Sequence, residues 1–388
     1  MSDSEPHGSL GVLGINGIRL LRNRGGVARA IEALITQFAR MPHGFAAIRV
    51  YTPEPLPSDF DLPANIARVV LPSRLPAAGW EQWTLPRAHG SGGVLFCPSY
   101  ISPWVKRAPT LLTHHGSYEG YREQHEVFPL MARLRSRLGY MLSARTADVV
   151  TTVSEYSRND MARFYGLPAD AIHVIPEGVD TKLFHPVDDP AILAATRRRL
   201  TGADTPYLLY VGKPTRRRNL PNLLRAFAEL KRMRNLPHKL VLIGTALPGT
   251  SFAADIAALG VQDAVVAIAH ADHREIAEAY CACSALVYPS AYEGFGMPVL
   301  EAMACGAPVI ALDNTAFPEF AGGIARLLPD AHVATLVEGI SGLLQDTDAR
   351  TRMRAEGPIR AKDYDWSLIA ARYMRLLEDL ALHSATRD

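Results

Sequence analysis

PSAYEGFGMPVLEAMACGAPVIA, residues 289–311, is the stretch whose reading decides the fold. The apolar run Ala285 to Pro289 leads into it and Pro308 to Leu312 closes it, and both read as strands. Between them Gly294, Gly296 and Pro298 disfavour or interrupt a helix, so Glu293 is expected in a loop. Pro298 suits the first position of a new helix, Glu301 is expected in its opening turn where the dipole favours an anion, and Gly306 followed by Pro308 stops it. Strand, glycine loop, short helix, strand is one half of a Rossmann-type unit.

Outward from there the same alternation recurs. Short apolar runs at 10–15, 46–51, 93–97, 110–113 and 148–153 are separated by segments of helical period, including 27–38, 126–145 and one from Ser154. A second series runs through 207–211, 239–243 and 265–268, with a helix between whose apolar face is Leu220, Leu223, Leu224, Phe227 and Leu230. Such alternation argues for parallel sheets covered by helices. The fold expected is α/β, with two Rossmann-like, doubly wound domains over 1–180 and 181–365. The loop-rich crossing 174–186 lies between them. Residues 366–388 read as a final helix with Leu368, Ala371, Tyr373 and Leu376 on one side. Prolines at 53, 55, 57, 63, 72, 76 and 86 predict irregular structure over 53–90.

A length of 388 residues suits two domains, each large enough for a core. Forty-one basic and 39 acidic residues, a net charge of +2, give no footprint for nucleic acid. Cys97, Cys281, Cys283 and Cys305 have neither disulfide density nor a zinc spacing and read as reduced thiols. The N-terminus lacks a basic start followed by an apolar stretch, and no run of 18 or more apolar residues occurs, so a cytoplasmic protein is expected.

Lys213, Arg216, Arg217 and Arg218 follow the strand 207–211, where open α/β sheets bind ligands, and cations there suit a diphosphate; a solvated basic loop is the plainer reading. The loop 293–296 opens onto a helix start, a second anion site. Glu293 could then accept from sugar hydroxyls and Glu301 from vicinal ribose hydroxyls, against the plain reading of capping or surface glutamates. Gly25 and Gly26 permit close backbone approach before a helix, as any loop would. His114 and His115 end a strand, as reactive groups or as satisfied strand-end histidines. Asp59/Asp61, Asp346/Asp348 and Asp363/Asp365 do not follow an apolar strand beside a glycine loop, so metal-independent chemistry is expected. Leu130, Leu134, Leu138 and Met141 alternate with Arg133, Arg135, Arg137 and Arg145, a pattern for an anionic membrane surface or, more commonly, for a core-facing stripe with a solvated basic side.

Over most of its length the chain resembles the retaining glycosyltransferases of the GT-B fold, family 4 type. The resemblance rests on Gly25-Gly26-Val27, His115-Gly116, 153–158, 174–180, the loop 211–213 and above all 289–306. It implies two domains facing across a cleft, with the last helix crossing back to the first. It places Lys213 and Arg218 on the donor diphosphate, Gly26 near the phosphates, and Glu293 on the transferred sugar. Glu301 falls on the ribose, His115 near the reacting centre, and Gly294, Phe295 and Gly296 in the donor loop. The order lysine then arginine reverses the family's usual pair, and Ala269 stands where the family has glycine, leaving GDP and UDP donors open. The activity implied is metal-independent, retaining hexosyl transfer, mannose or glucose type, without a cofactor. The acceptor would be a glycan or lipid-linked glycan in polysaccharide or glycolipid synthesis, with peripheral membrane contact open. A sugar-nucleotide epimerase and a non-catalytic sugar-nucleotide binder are the alternatives.

Overall fold

A computed structural model of the chain describes residues 10–21, 25–57, 60, 62–117, 130–245 and 252–385. The chain forms two compact units, Met1–Glu177 with Trp366–Asp388, and Gly178–Asp365. The division at Glu177 falls inside the 174–186 crossing, slightly ahead of residue 180.

The first unit holds a seven-stranded sheet of β1 (Val12–Asn16), β2 (Ala47–Thr52), β3 (Ile66–Val70), β4 (Gly93–Cys97), β5 (Thr110–His114), β6 (Val149–Thr152) and β7 (Ile172–Val174). Every pairing is parallel, in the order β3-β2-β1-β4-β5-β6-β7. The order turns back between β1 and β4, where Val12 pairs with Gly93 and Ile15 with Phe96. In the second unit β8 (Tyr207–Val211), β9 (Lys239–Ile243), β10 (Val265–Ile268), β11 (Ala285–Tyr288), β12 (Val309–Leu312) and β13 (Arg326–Leu328) form a parallel sheet ordered β10-β9-β8-β11-β12-β13. Its core takes in the expected helix face: Leu220, Leu223, Leu224, Phe227 and Leu230 are all within 1% of full burial.

Three expectations are corrected. Residues 53–90 are irregular only in part: the described residues of 53–65 and 71–76 hold no strand or helix, but Ile66–Val70 forms an edge strand, and Ala77–His89 is helical, with a π turn at Trp80–Thr84. The prolines border these elements, Pro63 and Pro72 flanking the strand, Pro76 capping the helical stretch and Pro86 opening its last segment. The final helix, Trp366–Ala385, packs through Ile369, Tyr373, Leu377 and Ala381, an i, i+4 line that leaves Leu368 52% exposed. The helix Leu130–Thr146 turns Leu130, Leu134 and Leu138 outward, at 63, 51 and 51% exposure, and packs through Gly139, Ser143 and Ala144, with Met141 alone of the expected stripe half-buried against the core. The expected start of that helix at 126 lies outside the described residues. Among the described residues no helix is long and apolar enough to cross a membrane.

Candidate active site

In the second unit the strand order turns back between β8 and β11, so the loops leaving their carboxyl ends border the crevice where open α/β sheets hold ligands. The two loops are stitched together. Asn219 Nδ2 donates to the Pro289 carbonyl at 2.9 Å, and the Ala291 amide to the Arg217 carbonyl at 2.7 Å. The loop after β8 carries Lys213 and a single 3-10 turn, Arg216–Arg218.

Glu293 is the centre of the site, 8% exposed. Its Oε1 accepts from Arg218 Nε at 3.0 Å, Tyr288 hydroxyl at 2.9 Å and Ser290 Oγ at 3.0 Å, with Arg217 Nη1 at 2.5 Å. Burial pushes the carboxyl up, but Arg218 and Arg217 outweigh it and hold Glu293 at about 2. Burial also raises the Tyr288 phenol well above its usual range, so its hydroxyl keeps the proton it donates. Arg218 lies over the Tyr288 ring, 5.5 Å from its centroid, and its Nη1 donates to the Lys213 carbonyl at 3.2 Å. Burial lowers the Arg218 guanidinium, yet Tyr288 and Glu293 reverse that and raise it above its ordinary value.

The structure thus joins Arg218 directly to Glu293 and puts the Lys213 side chain on the exposed rim. Arg217, which the basic run had not distinguished from its neighbours, is the second partner of Glu293. Only the strand-end context signals it; the run Arg216-Arg217-Arg218 alone does not say which side chain turns inward.

Gly294, Phe295 and Gly296 follow. The Phe295 ring leaves the loop to stack on Phe320, centroids 4.6 Å apart, so the ring belongs to the core and only the Phe295 backbone remains to the loop. Gly296 has φ +111°, and a Cβ there would come within 2.5 Å of the Phe317 ring. That left-handed residue caps the helix Met297–Ala304, so Pro298 is its second residue and Glu301 its fifth. The expectation of Glu301 in the opening turn is therefore corrected, and the dipole argument with it. Glu301 is 2% exposed and its Oε2 accepts from the Tyr280 hydroxyl at 3.3 Å.

His115 and Gly26 belong to the first unit. His115 follows β5; its Nε2 lies 2.7 Å from the Pro98 carbonyl and its Nδ1 3.0 Å from Glu177 Oε1. A carbonyl only accepts, so Nε2 carries a proton. His114 is wholly buried against the Tyr165 hydroxyl at 3.1 Å, and burial pulls it down to about 3, so it is neutral. Gly26 is the exposed first residue of the helix Gly26–Phe38, whose cap, Gly25, supplies no side chain to the free amides. Its neighbours 22–24 lie outside the described residues.

Two of the aspartate pairs have other work. Asp346 caps the helix Thr347–Lys362 and pairs with Arg326 at 3.2 Å, and Asp365 accepts from Thr181. Asp59 and Asp61 lie outside the described residues. Among the described residues no group of three His, Cys, Asp or Glu side chains stands in a metal-binding arrangement.

Residues 24–183 match the family model described as Glycosyltransferase Family 4, and residues 195–360 that of Glycosyl transferases group 1. The chain is 30% identical over 229 residues to O-antigen chain mannosyltransferase B of Escherichia coli, covering 58% of each chain. It is 31% identical over 242 residues to the MMP alpha-(1->4)-mannosyltransferase of Mycolicibacterium hassiacum, covering 61% of this chain and 55% of that one. The match therefore spans little more than half the length of these curated relatives. Among solved structures, sucrose-phosphate synthase from Thermosynechococcus elongatus superposes with TM-score 0.78 at 21% identity, over 95% of this chain and 99% of that one. Anabaena HepE in complex with UDP and glucose superposes with TM-score 0.75 at 18% identity, over 94% and 98%. Two Rossmann-like parallel sheets, each with its own family match, are the GT-B architecture, and the chain belongs to the glycosyltransferases of family 4 and group 1.

Proposed function

We propose that the chain transfers a hexosyl unit, of mannose or glucose type, from a nucleoside diphosphate sugar to an acceptor hydroxyl with the anomeric configuration retained. The observation that carries this reading is the Glu293 cluster. It sets two arginines, a carboxylate and a glycine loop that opens a helix at the switch point of one parallel sheet. Relatives named as mannosyltransferases and an alpha-maltose-1-phosphate synthase support the sugar class, and the UDP and glucose held by HepE support the donor class.

In this reading Lys213 and Arg218 face the diphosphate, and the amides of Gly294, Phe295 and Gly296 supply further donors. The four contacts on Glu293 converge on Oε1, so Oε2 is the oxygen that meets the sugar hydroxyls. Glu301 takes the ribose hydroxyls, and the family resemblance assigns His115 to the transferred sugar. The new bond forms between the anomeric carbon and the acceptor oxygen as the bond to the diphosphate breaks. The electron pair leaves on the diphosphate, and the acceptor proton passes to one of its oxygens. Charge on the leaving group is met by side chains and amides, so the step is metal-independent.

Purified chain incubated with UDP- and GDP-hexoses, with and without a glycan acceptor, tests this. Transfer, or slow hydrolysis without acceptor, is expected, unchanged by chelator. Lys213→Ala, an exposed residue, should lower turnover about 100-fold, the loss typical of one leaving-group stabiliser. An unchanged rate in both Lys213→Ala and Arg218→Ala would sink the assignment, and isomerised donor would make the chain an epimerase.

A further inference from the structure

Three loops at the carboxyl ends of the first sheet meet at one imidazole. Pro98 follows β4, His115 follows β5, and Glu177 lies just past β7. The His115 ring is strung between the other two, with Nε2 donating to the Pro98 carbonyl at 2.7 Å and Nδ1 lying 3.0 Å from Glu177 Oε1. Both side chains are nearly out of solvent, 7% exposed for His115 and 10% for Glu177. A carbonyl oxygen has no proton to give, so Nε2 carries one. A bare Nδ1 and a bare carboxylate oxygen would set lone pair against lone pair at 3.0 Å, so a second proton lies between Nδ1 and Oε1. The ring is thereby committed at both nitrogens. It has none left to take a proton from an acceptor hydroxyl, and what His115 contributes depends on where it is held.

Two further observations bear on the ring's place. Tyr100 packs against it, centroids 5.7 Å apart, and has φ +57°, a left-handed backbone that a residue other than glycine keeps only where its surroundings compel it. The compulsion is visible: the Tyr100 amide donates to the Thr113 carbonyl at 3.0 Å, and its ring stacks on Tyr140, centroids 5.2 Å apart. Backbone strain of this kind clusters at functional sites. His115 and Glu177 also border a small cavity that they share with Ala30, Ile31, Thr113 and Tyr373. A ring let go by Glu177 therefore has space into which to turn.

We propose that Glu177 is a positioning residue for sugar transfer, acting through His115 by pinning the imidazole between two loops so that His115 meets the donor sugar in one orientation. This rests on the assignment of His115 to the transferred sugar. The role requires a hydrogen-bond partner at Nδ1; it does not require the charge of the carboxylate.

Two variants of the full chain separate these. Glu177→Ala takes the partner from Nδ1 and frees the ring, whereas Glu177→Gln keeps it, since the amide N–H donates to Nδ1 while Nε2–H stays on Pro98. With sugar nucleotide and acceptor, Glu177→Ala should lower kcat on the order of 10- to 100-fold with the donor KM little changed, the scale of loss for a misplaced reacting group. Glu177→Gln should recover most of that loss. The ring itself is read by heteronuclear NMR of the histidine side chains at neutral pH, with His115→Gln assigning the signal by removing it. The Nε2 proton should exchange slowly with solvent in the native chain and in Glu177→Gln, and quickly in Glu177→Ala. A proton equally slow in Glu177→Ala would overturn the proposal, because the ring would then stay in place without Glu177. So would equal losses of turnover in the two variants, which would make the charge of the carboxylate what matters. The exchange measurement needs no substrate, so the hold of Glu177 on the ring stands or falls apart from whether sugar transfer is found.

Discussion

Glu293 keeps its charge where burial alone would favour the protonated acid, because four donors converge on one of its oxygens. The arginines depend on it in turn, with Arg217 and Arg218 side chains only 21 and 14% exposed. Glu293→Gln keeps the shape and removes the charge, leaving two neighbouring cations mostly out of water. A loss of about 3 kcal/mol is expected, the low end for breaking a buried pair because the arginines retain some solvent. Urea unfolding at neutral pH measures it, and a loss near zero would show that the cations are solvated independently. The sign with pH follows from the depressed value. The stabilisation is complete above the ordinary carboxylate range near 4.5 and disappears as pH falls through about 2. An acid limb in activity above pH 4 therefore belongs to another group. At this scale the sequence placed Glu293 in a loop and the basic run at a strand end, since glycine, proline and apolar runs mark them locally. It did not show that Arg217 and Arg218 turn onto Glu293, which depends on how two loops 75 residues apart meet.

The stretch 289–311 is legible as an element because its breakers act within a few residues. The position of Glu301 is not, because the helix begins where Gly296 adopts a left-handed backbone and not where proline first permits. Gly296 also sits against an aromatic cluster, with Phe317 6.0 Å from Tyr288 and Phe320 6.2 Å from Phe317. Gly296→Ala meets both obstacles, a positive φ and a contact of 2.5 Å with a buried ring. A loss of about 1–3 kcal/mol is expected. Affinity for a nucleoside diphosphate should fall with it, since the amides of 294–296 would move. Calorimetric titration with UDP and GDP beside a thermal melt reads both effects. A variant with reduced stability and unchanged nucleotide affinity would remove the glycine loop from the donor site. The final helix shows the same limit of range: its apolar residues are visible, but the buried line through Ile369 is set by the helix Gly26–Phe38 and by β4, against which it packs.

Across the whole molecule, the strands found in the sequence are mostly those buried on both faces, which read as continuous apolar runs. The three that were missed, β3, β7 and β13, are all edge strands, and the burial of β3 alternates too weakly to leave a period. Buried titratable groups are invisible in the same way, and they set how the chain responds to acid. Burial pulls His89 and His238 down to about 4 and His114 to about 3, so all three are neutral in the folded chain near pH 6. The unfolded chain protonates each near 6.5, so their contribution to stability is full above that pH and falls as pH drops toward 4. Glu81 acts oppositely. Burial raises it to about 7 despite the amide of Asn16, so between about 4.5 and 7 the folded state holds a proton that the unfolded state lacks. Three histidines against one carboxyl leave the unfolded state with a net excess of roughly two protons near pH 5.5, a slope of about 2–3 kcal/mol per pH unit. The urea midpoint should therefore fall steadily from pH 7 to pH 5. Glu81→Gln should steepen that fall, since it removes the opposing proton and the cost of ionising a buried acid above pH 7. A midpoint flat across this range would mean that the three rings take up their protons in the folded chain and that solvent reaches them.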